Sequence, residues 1–327
     1  MIHVAVVGTG AISDAHIHAY LGFKDRCKIV ALCDIFPDKA REKQKKHQIE
    51  ADVVADYKQL LSRPDLDLVS VCTPPYTHAP IAIDFLKAGK HVLVEKPMAS
   101  SLEECDAMLA AADAGQRVLS VIGQNRFRDP VFKLKRVLDS GMAGRIVHTQ
   151  VDSFWWRGHC YYDLWWRGTW EKEGGGCTLN HAVHHIDMFQ WMMGMPDQVQ
   201  AIMSNTSHDN AEVEDISIAI FKYADGSLAQ ITSSTVHHGE EQQLVFQGTK
   251  ARVSFPWKVV ASTSKENGFP QKNEALELEI ADYYNRLPSL AHTNHAGQID
   301  DVLSAIGRGE RDVLHQGGHF VRGDQVL

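Results

Sequence analysis

The chain has 327 residues, with 33 Lys and Arg against 41 Asp and Glu and a formal net charge of −8. That length supports two domains that each bury a core, and the acidic balance argues against a phosphate-backbone partner, because nonspecific nucleic-acid affinity comes from Lys and Arg neutralising phosphates. No apolar run approaches the roughly 20 residues that span a bilayer, and the N-terminus enters an apolar strand with no basic region or cleavage site; a soluble, cytoplasmic protein with no nucleic-acid and no membrane partner is expected.

Residues 2–7 are apolar and β-rich, and Gly8-Thr9-Gly10-Ala11-Ile12-Ser13 leads into a helical pattern over residues 14–21. Gly8 makes the turn, and Gly10 has no side chain to hold a pyrophosphate away from a helix N-terminus, where free amides and the dipole favour anions. Ser13 takes the third glycine position, where a small residue suffices for close packing. Alone, such a segment fits an ordinary glycine turn as well as a dinucleotide site. A second strand, residues 28–33, ends at Asp34, where a carboxylate meets ribose hydroxyls and repels the extra phosphate of NADP. Ile35 adds no basic or hydroxyl group, so NAD is favoured over NADP. Asp34 can also cap the helix over residues 37–46, and the two roles are compatible. The lysines of that helix read as a solvated face.

The alternation continues with strands over residues 66–72, 91–94 and 118–122 and helices over 76–88 and 102–114. This pattern implies a doubly wound parallel sheet, with ligands beyond the carboxyl ends of its strands. Thr73-Pro74-Pro75 and Glu95-Lys96-Pro97 follow two strand ends directly and are positioned for a cofactor crevice. An ammonium at Lys96 could hydrogen-bond a reacting hydroxyl and favour hydride departure. A surface lysine paired with Glu95 is the alternative, and position alone leaves both open. Gly123-Gln124-Asn125-Arg126 reads as the crossover, giving domains over residues 1–123 and 124–308. Cys27, Cys33, Cys72, Cys105, Cys160 and Cys177 lack CxxC spacing and are expected as reduced, mostly buried thiols.

In the second half, Asp129 and Pro130 start a helix that ends at Ser140 before Gly141, and a strand begins at Arg145. Residues 154–170 then hold Trp155, Trp156, Tyr161, Tyr162, Trp165, Trp166 and Trp170 with Arg157 and Arg167. Flat aromatic faces suit sugar C–H surfaces and nicotinamide, and arginine supplies hydrogen bonds to hydroxyls or carboxylates. Core or subunit packing is expected to account for most of the tryptophans.

Three glycines open GGGCTLNHAVHHID, residues 174–187, and turn the chain into a helix on which Asn180, His184 and Asp187 share a face. His181, His184, His185 and Asp187 invite a metal reading, since histidines at i, i+3 and i+4 can converge, but the three histidines cannot all point one way and no second ligand cluster accompanies them, so no metal is expected. Residues 215–223, with Ile216, Ile218 and Ile220 on one face, turn at Asp225-Gly226 into residues 227–236; residues 242–247 and 251–255 flank Gly248. These hairpins imply an open antiparallel sheet with helices on one face. Residues 261–285 read as loop with one short strand over 275–280, and residues 292–306 as helix.

The motifs GTGAIS, CTPPYTH, EKP and GGGCTLNHAVHHID, in this order, resemble those of the Gfo/Idh/MocA oxidoreductases, the glucose-fructose oxidoreductase and inositol dehydrogenase family, across residues 1–308. The resemblance implies an α/β protein in which an N-terminal Rossmann domain, a doubly wound parallel sheet, precedes a C-terminal α+β domain on a largely antiparallel open sheet. It implies hydride transfer between NAD and a sugar, polyol or sugar derivative, in a homo-oligomer, dimer or tetramer. Carried over motif by motif, the catalytic lysine falls on Lys96 and the proton-carrying histidine on His184. The upstream carboxylate falls on Asn180, which can orient a hydroxyl but cannot relay a proton. Cofactor contacts fall on Gly8, Thr9, Gly10, Ala11, Ile12 and Asp34 in the first turn. Further contacts fall on Thr73, Pro74, His78, Glu95, Lys96 and Gln124, and on Trp166 and Arg167 in the WRGTW segment. Substrate contacts fall on Lys96, Arg126, Arg167, Asn180 and His184. Beyond Arg308 the sequence departs from the family, and residues 309–327 read as an atypical tail. Two alternatives use the same fold: an NAD-dependent glycosidase that oxidises its sugar transiently, and a non-catalytic NAD-binding sensor.

Overall fold

Strands covered on both faces need near-continuous apolar runs, and the first half of the chain supplies them. The computed structural model describes residues 1–311 and residue 313. In it β1 (Ile2–Val7), α1 (Ser13–Leu21), β2 (Cys27–Cys33), α2 (Pro37–His47), β3 (Asp52–Val54) and α3 (Lys58–Leu61) are followed by β4 (Leu68–Val71), α4 (His78–Lys87), β5 (His91–Val94), α5 (Leu102–Gly115) and β6 (Leu119–Val121). The strands form one parallel sheet in the order β3-β2-β1-β4-β5-β6. Val4, Val6, Leu68, Val69, Val92 and Leu93 are fully buried, each contributing about 1.5–3 kcal/mol relative to exposure. The order reverses between β1 and β4, which is where such sheets open a crevice at their carboxyl edge. Only β3 and α3 escape the sequence pattern, at three and four residues too short to show a period.

The chain divides after Phe127, and residues 128–290 form a second unit. It runs α6 (Asp129–Asp139), β7 (Ile146–Phe154), α7 (Trp170–Glu173), α8 (Val183–Met193), β8 (Gln198–Ser204), β9 (Ile216–Lys222), β10 (Leu228–Ser234), β11 (Gln242–Gly248), β12 (Ala251–Phe255), β13 (Lys258–Ser264), β14 (Pro270–Lys272) and α9 (Glu274–Arg286). Its eight-stranded sheet has the order β14-β13-β12-β11-β7-β10-β9-β8 and is antiparallel except where β7 pairs with β10. Val131, Leu134 and Val137 of α6, Ile186 and Phe189 of α8 and Ile280 of α9 pack on Val151, Ala219, Phe221, Leu244 and Phe246 of the sheet. Among the described residues the opposite face carries no such layer. There Ile202, Ile218 and Ile220 are 81%, 51% and 54% exposed, so the isoleucine stripe of β9 points away from the core.

Residues 261–285 depart from the expected loop with one short strand at three elements: the end of β13 and all of β14 are paired strands of the sheet, and the expected strand lies inside a helix. Residues 274–286 are the helix α9 and not a loop with a strand. Asn273 caps it, accepting from the Leu276 amide at 3.2 Å, and Leu276, Ile280 and Tyr284 recur at four-residue spacing toward the core. The polar residues between them hid that stripe.

The last described helix, α10 (Asn294–Arg308), belongs with the first unit, which takes the chain back from Ala291. Sequence patterning shows the helix but not the sheet it covers, and so assigned these residues to the second domain. Ile299, Val302, Leu303 and Ala305 enter the first core. Gln298, fully buried, donates to Val121 O at 2.6 Å and Ser120 Oγ at 3.1 Å and accepts from the Gly123 amide at 2.9 Å. Of the expected tail, residue 312 and residues 314–327 lie outside the described residues.

Candidate active site

The glycine turn after β1 forms because no other residue fits there. Gly8 has φ +90°, and a Cβ on it would lie 2.7 Å from the Cys72 carbonyl. Gly10 is the opposite case: a Cβ there meets nothing within 4 Å, so its backbone stays open to a phosphate. Thr9 donates to Asp34 Oδ2 from both its amide and its Oγ1, each at 2.8 Å, and the Phe36 amide donates to Oδ1 at 2.9 Å. Asp34 therefore fixes the turn, while the N-cap position of α2 is Phe36, with no side-chain cap. Ser13, fully buried, donates to Gly10 O at 2.7 Å and lets α1 pack closely. Ala11 and Ile12 are exposed at the head of α1. An open glycine backbone, a helix N-terminus and a carboxylate at the end of β2 fit a dinucleotide: Gly10, Ala11 and Ile12 for the pyrophosphate, Asp34 for a ribose. Gln124 Oε1, buried without a partner among the described residues, is a further acceptor near the end of β6.

Two loops at the carboxyl edge are joined by a residue that sequence grouped with the cofactor contacts. His78 is fully buried, its Nε2 2.7 Å from Thr73 O and its Nδ1 2.8 Å from Pro97 O, and burial lowers its pKa. It is thus a post between the Thr73-Pro74 loop and the Glu95-Lys96-Pro97 loop, enclosed rather than facing a ligand. The Glu95 side chain is also enclosed. Its Oε1 lies 2.9 Å from His16 Nε2 and 3.5 Å from His295 Nε2, and its Oε2 accepts from the Lys96 amide at 3.2 Å. Among the described residues this trio is the one set of His, Cys, Asp and Glu donors close enough to share a cation. Its 2.9 Å contact has the length of a hydrogen bond. Lys96 follows it, half-buried. Arg126 is 1% exposed and enclosed by the chain.

In the second unit the GGG turn is built around Glu214, a residue that sequence analysis missed. Glu214 is buried and accepts from the Gly176 amide at 2.8 Å and the Thr178 amide at 3.0 Å. A Cβ on Gly176 would lie 1.9 Å from the Glu214 carbonyl oxygen. The helix then starts as a π-turn, Thr178–Ala182, before α8; such turns often occur at functional sites. Asn180 Nδ2 donates to Gly175 O at 2.6 Å and Gly176 O at 3.3 Å, closing the turn. His181 is buried against the Trp155 and Tyr161 rings. His185 is buried with Nδ1 2.8 Å from Ser153 Oγ, and burial, aided by Arg128, lowers its pKa to about 4. Of the three histidines, His184 is the half-buried one.

The aromatic segment is organised by its arginines. The Arg157 guanidinium lies over Trp155 and Tyr161 and pairs with Glu240 at 2.6 Å. Arg167 lies 4.1 Å from the Tyr161 ring centroid and 4.3 Å from that of Trp166. Its Nη1 donates to Tyr161 OH and to Oε1 of the buried Glu173 at 3.3 Å. Its Nε is buried with no partner among the described residues, a state that costs about 1–3 kcal/mol or more for a charged donor. Trp156, Trp165 and Trp170 are exposed rather than packed in the core.

A doubly wound parallel sheet with this glycine turn, joined to a largely antiparallel sheet domain, defines an NAD-binding oxidoreductase of the Rossmann class. The model of an oxidoreductase family with an NAD-binding Rossmann fold matches residues 2–122, and that of the GFO/IDH/MocA C-terminal domain matches residues 131–254. The chain belongs to the Gfo/Idh/MocA family. It is 26% identical to the 2,7-anhydro-N-acetylneuraminate hydratase of Mediterraneibacter gnavus, over 81% of this chain and 70% of that one. It is also 26% identical to the myo-inositol 2-dehydrogenase of Thermotoga maritima, over 77% and 74% of the two chains. Among solved structures, the WlbA dehydrogenase from Bordetella pertussis in complex with NADH and UDP-GlcNAcA superposes with a TM-score of 0.81 at 27% identity, covering 98% of this chain and 93% of that one.

Proposed function

We propose that this chain oxidises or reduces a hydroxyl-bearing carbon of a sugar, polyol or sugar derivative, with Lys96 and His184 handling the charge and the proton. Bound NAD supplies the hydride acceptor or donor. The Lys96 ammonium donates to the reacting oxygen and stabilises the negative charge that develops on it. His184 takes the hydroxyl proton in oxidation and returns it in reduction. The observation that carries this reading is the sorting of the three histidines: His181 and His185 are buried, and His184 is left half-buried at the head of α8. Asn180, turned onto the glycine carbonyls, holds the turn ahead of His184. NAD is the preferred dinucleotide because the Asp34 carboxylate opposes a 2′-phosphate. Free thiols and NAD use suit the cytoplasm, and the exposed Ile202, Ile218 and Ile220 on the sheet suit a homo-oligomer.

The test is turnover of NAD with a panel of sugars, polyols and sugar derivatives, read as nicotinamide fluorescence, in the native protein and in Lys96→Ala and His184→Ala. Lys96→Ala should abolish the signal, and His184→Ala should lower kcat on the order of 10²–10⁴-fold. Tight NAD binding with no change on any panel member would sink the reading. A relative named as a hydratase favours one second reading, a reaction without net redox change in which oxidation at one carbon is transient. Glycoside cleavage or water addition with no NADH accumulating would establish it.

A further inference from the structure

We infer that the substrate is a sugar acid, whose carboxylate seats on the Nε and Nη2 edge of Arg167. This deepens the reading of the chain as a sugar oxidoreductase and rests on it. The guanidinium is a planar fork with three edges, and what surrounds it decides which edge a ligand can use. Both of its hydrogen bonds among the described residues leave from Nη1, to Tyr161 OH and Glu173 Oε1. Tyr161 and Trp166 cover it at 4.1 Å and 4.3 Å from its Cζ. The rings set the plane, and Nη1 sets the rotation within it. Glu173 is itself held, since its Oε2 accepts from the Gly168 amide.

What is left is the edge where Nε–H and Nη2–H run parallel. Nε is buried without a partner, although about a fifth of the side chain remains accessible. A buried charged donor with nothing to donate to signals a group supplied in another state of the protein. Two parallel N–H groups match the two oxygens of a carboxylate, whereas a sugar hydroxyl engages one of them. The neighbouring rings, with Trp165 exposed, supply flat faces for the C–H surface of a pyranose carrying that carboxylate. Glu173 offsets the charge of Arg167, which makes the site selective by shape: a chloride or a lone hydroxyl gains little there, and a carboxylate gains two charge-assisted bonds.

The experiment titrates glucuronate, galacturonate and UDP-glucuronate against glucose, galactose and UDP-glucose into the complex of the full chain with NADH, by calorimetry, and follows NADH formation from NAD with the same six compounds. At least one acid should bind roughly 10- to 100-fold tighter than its neutral counterpart. Arg167→Gln and Arg167→Lys should both erase that preference, the lysine because it keeps the charge and loses the fork, and the melting temperature of each variant reports folding. Neutral sugars binding as well as their acids, no binding by any of the six, or a loss of NADH affinity in place of acid affinity would each overturn the inference. Acid binding without NADH formation would leave the carboxylate site standing and remove hydride transfer instead.

Discussion

His16 Nε2 lies 2.9 Å from Glu95 Oε1, both side chains enclosed, and this contact ties α1 to the end of β5 one residue before Lys96. Behind it, Tyr20 OH lies 2.7 Å from Ser70 Oγ, which lies 3.2 Å from His16 Nδ1. His295 brings α10 to the same carboxylate. Burial by itself would raise the Glu95 pKa, but hydrogen bonds from His16 and His295 outweigh it and hold the carboxyl well below the usual range. A carboxyl with a lowered folded pKa contributes stability above its unfolded value, near 4.3, and loses it as pH falls toward the folded value. Glu95→Gln should therefore cost about 3 kcal/mol at pH 7. Urea unfolding of both proteins at pH 7, 5 and 4 should show the gap narrowing only in the most acid samples.

His185 acts in a different window. Its folded pKa of about 4 is below the ordinary value of 6.5, since burial and Arg128 oppose a second proton. The unfolded chain thus takes up a proton first, and stability present above pH 6.5 drains away as pH falls toward 4, on the order of 3 kcal/mol in all. His185→Gln, which keeps a polar group beside Ser153, should flatten the decline between pH 6.5 and 4.5 that the native protein shows in urea midpoints. An unchanged slope would mean that His185 is not the residue responsible.

The two glycines of the first turn should separate folding from binding. Gly10→Ala adds a methyl to open space and should leave the melting temperature within about 2 °C, yet weaken NADH at least tenfold by holding the pyrophosphate off the backbone. Gly8→Ala places a Cβ 2.7 Å from the Cys72 carbonyl at φ +90°, and should lower stability by at least about 2 kcal/mol. Fluorescence titration with NADH and thermal melts of the two variants check both statements.

The parallel sheet was legible because its longer strands are near-continuous apolar runs alternating with helical segments, and because Gly8, Gly10 and Asp34 mark the chain where the fold needs them. The second domain was less so. Helix α9 hid its apolar stripe among charged residues, and α10 announced itself as a helix without naming its sheet. At the site, spacing singled out His184 but could not reveal the π-turn ahead of it, which arises where Glu214, far along the chain, takes the Gly176 and Thr178 amides. His16, Glu214 and Glu173 are tertiary partners, and nothing local to them signals the residues they hold. Arg167 was a candidate from its neighbours in sequence, but the unpartnered state of its Nε depends on Tyr161 and Glu173 engaging Nη1 instead.

In β9, Ser217, Ala219 and Phe221 turn toward the helices, so Ile218 and Ile220 face outward beside Ile202 of β8. A monomer gains nothing from large β-branched side chains there, whereas a second copy of the sheet would remove them from water, at about 25 cal/mol for each Å² of apolar surface covered. An oligomer built on this face should fall apart in Ile218→Lys with Ile220→Lys, since each buried ammonium would face an apolar partner with no counter-ion. Sedimentation of the native chain should give a dimer or tetramer and that of the double variant a folded monomer. A native monomer, or a variant that keeps the native mass, would remove this face from the account of assembly.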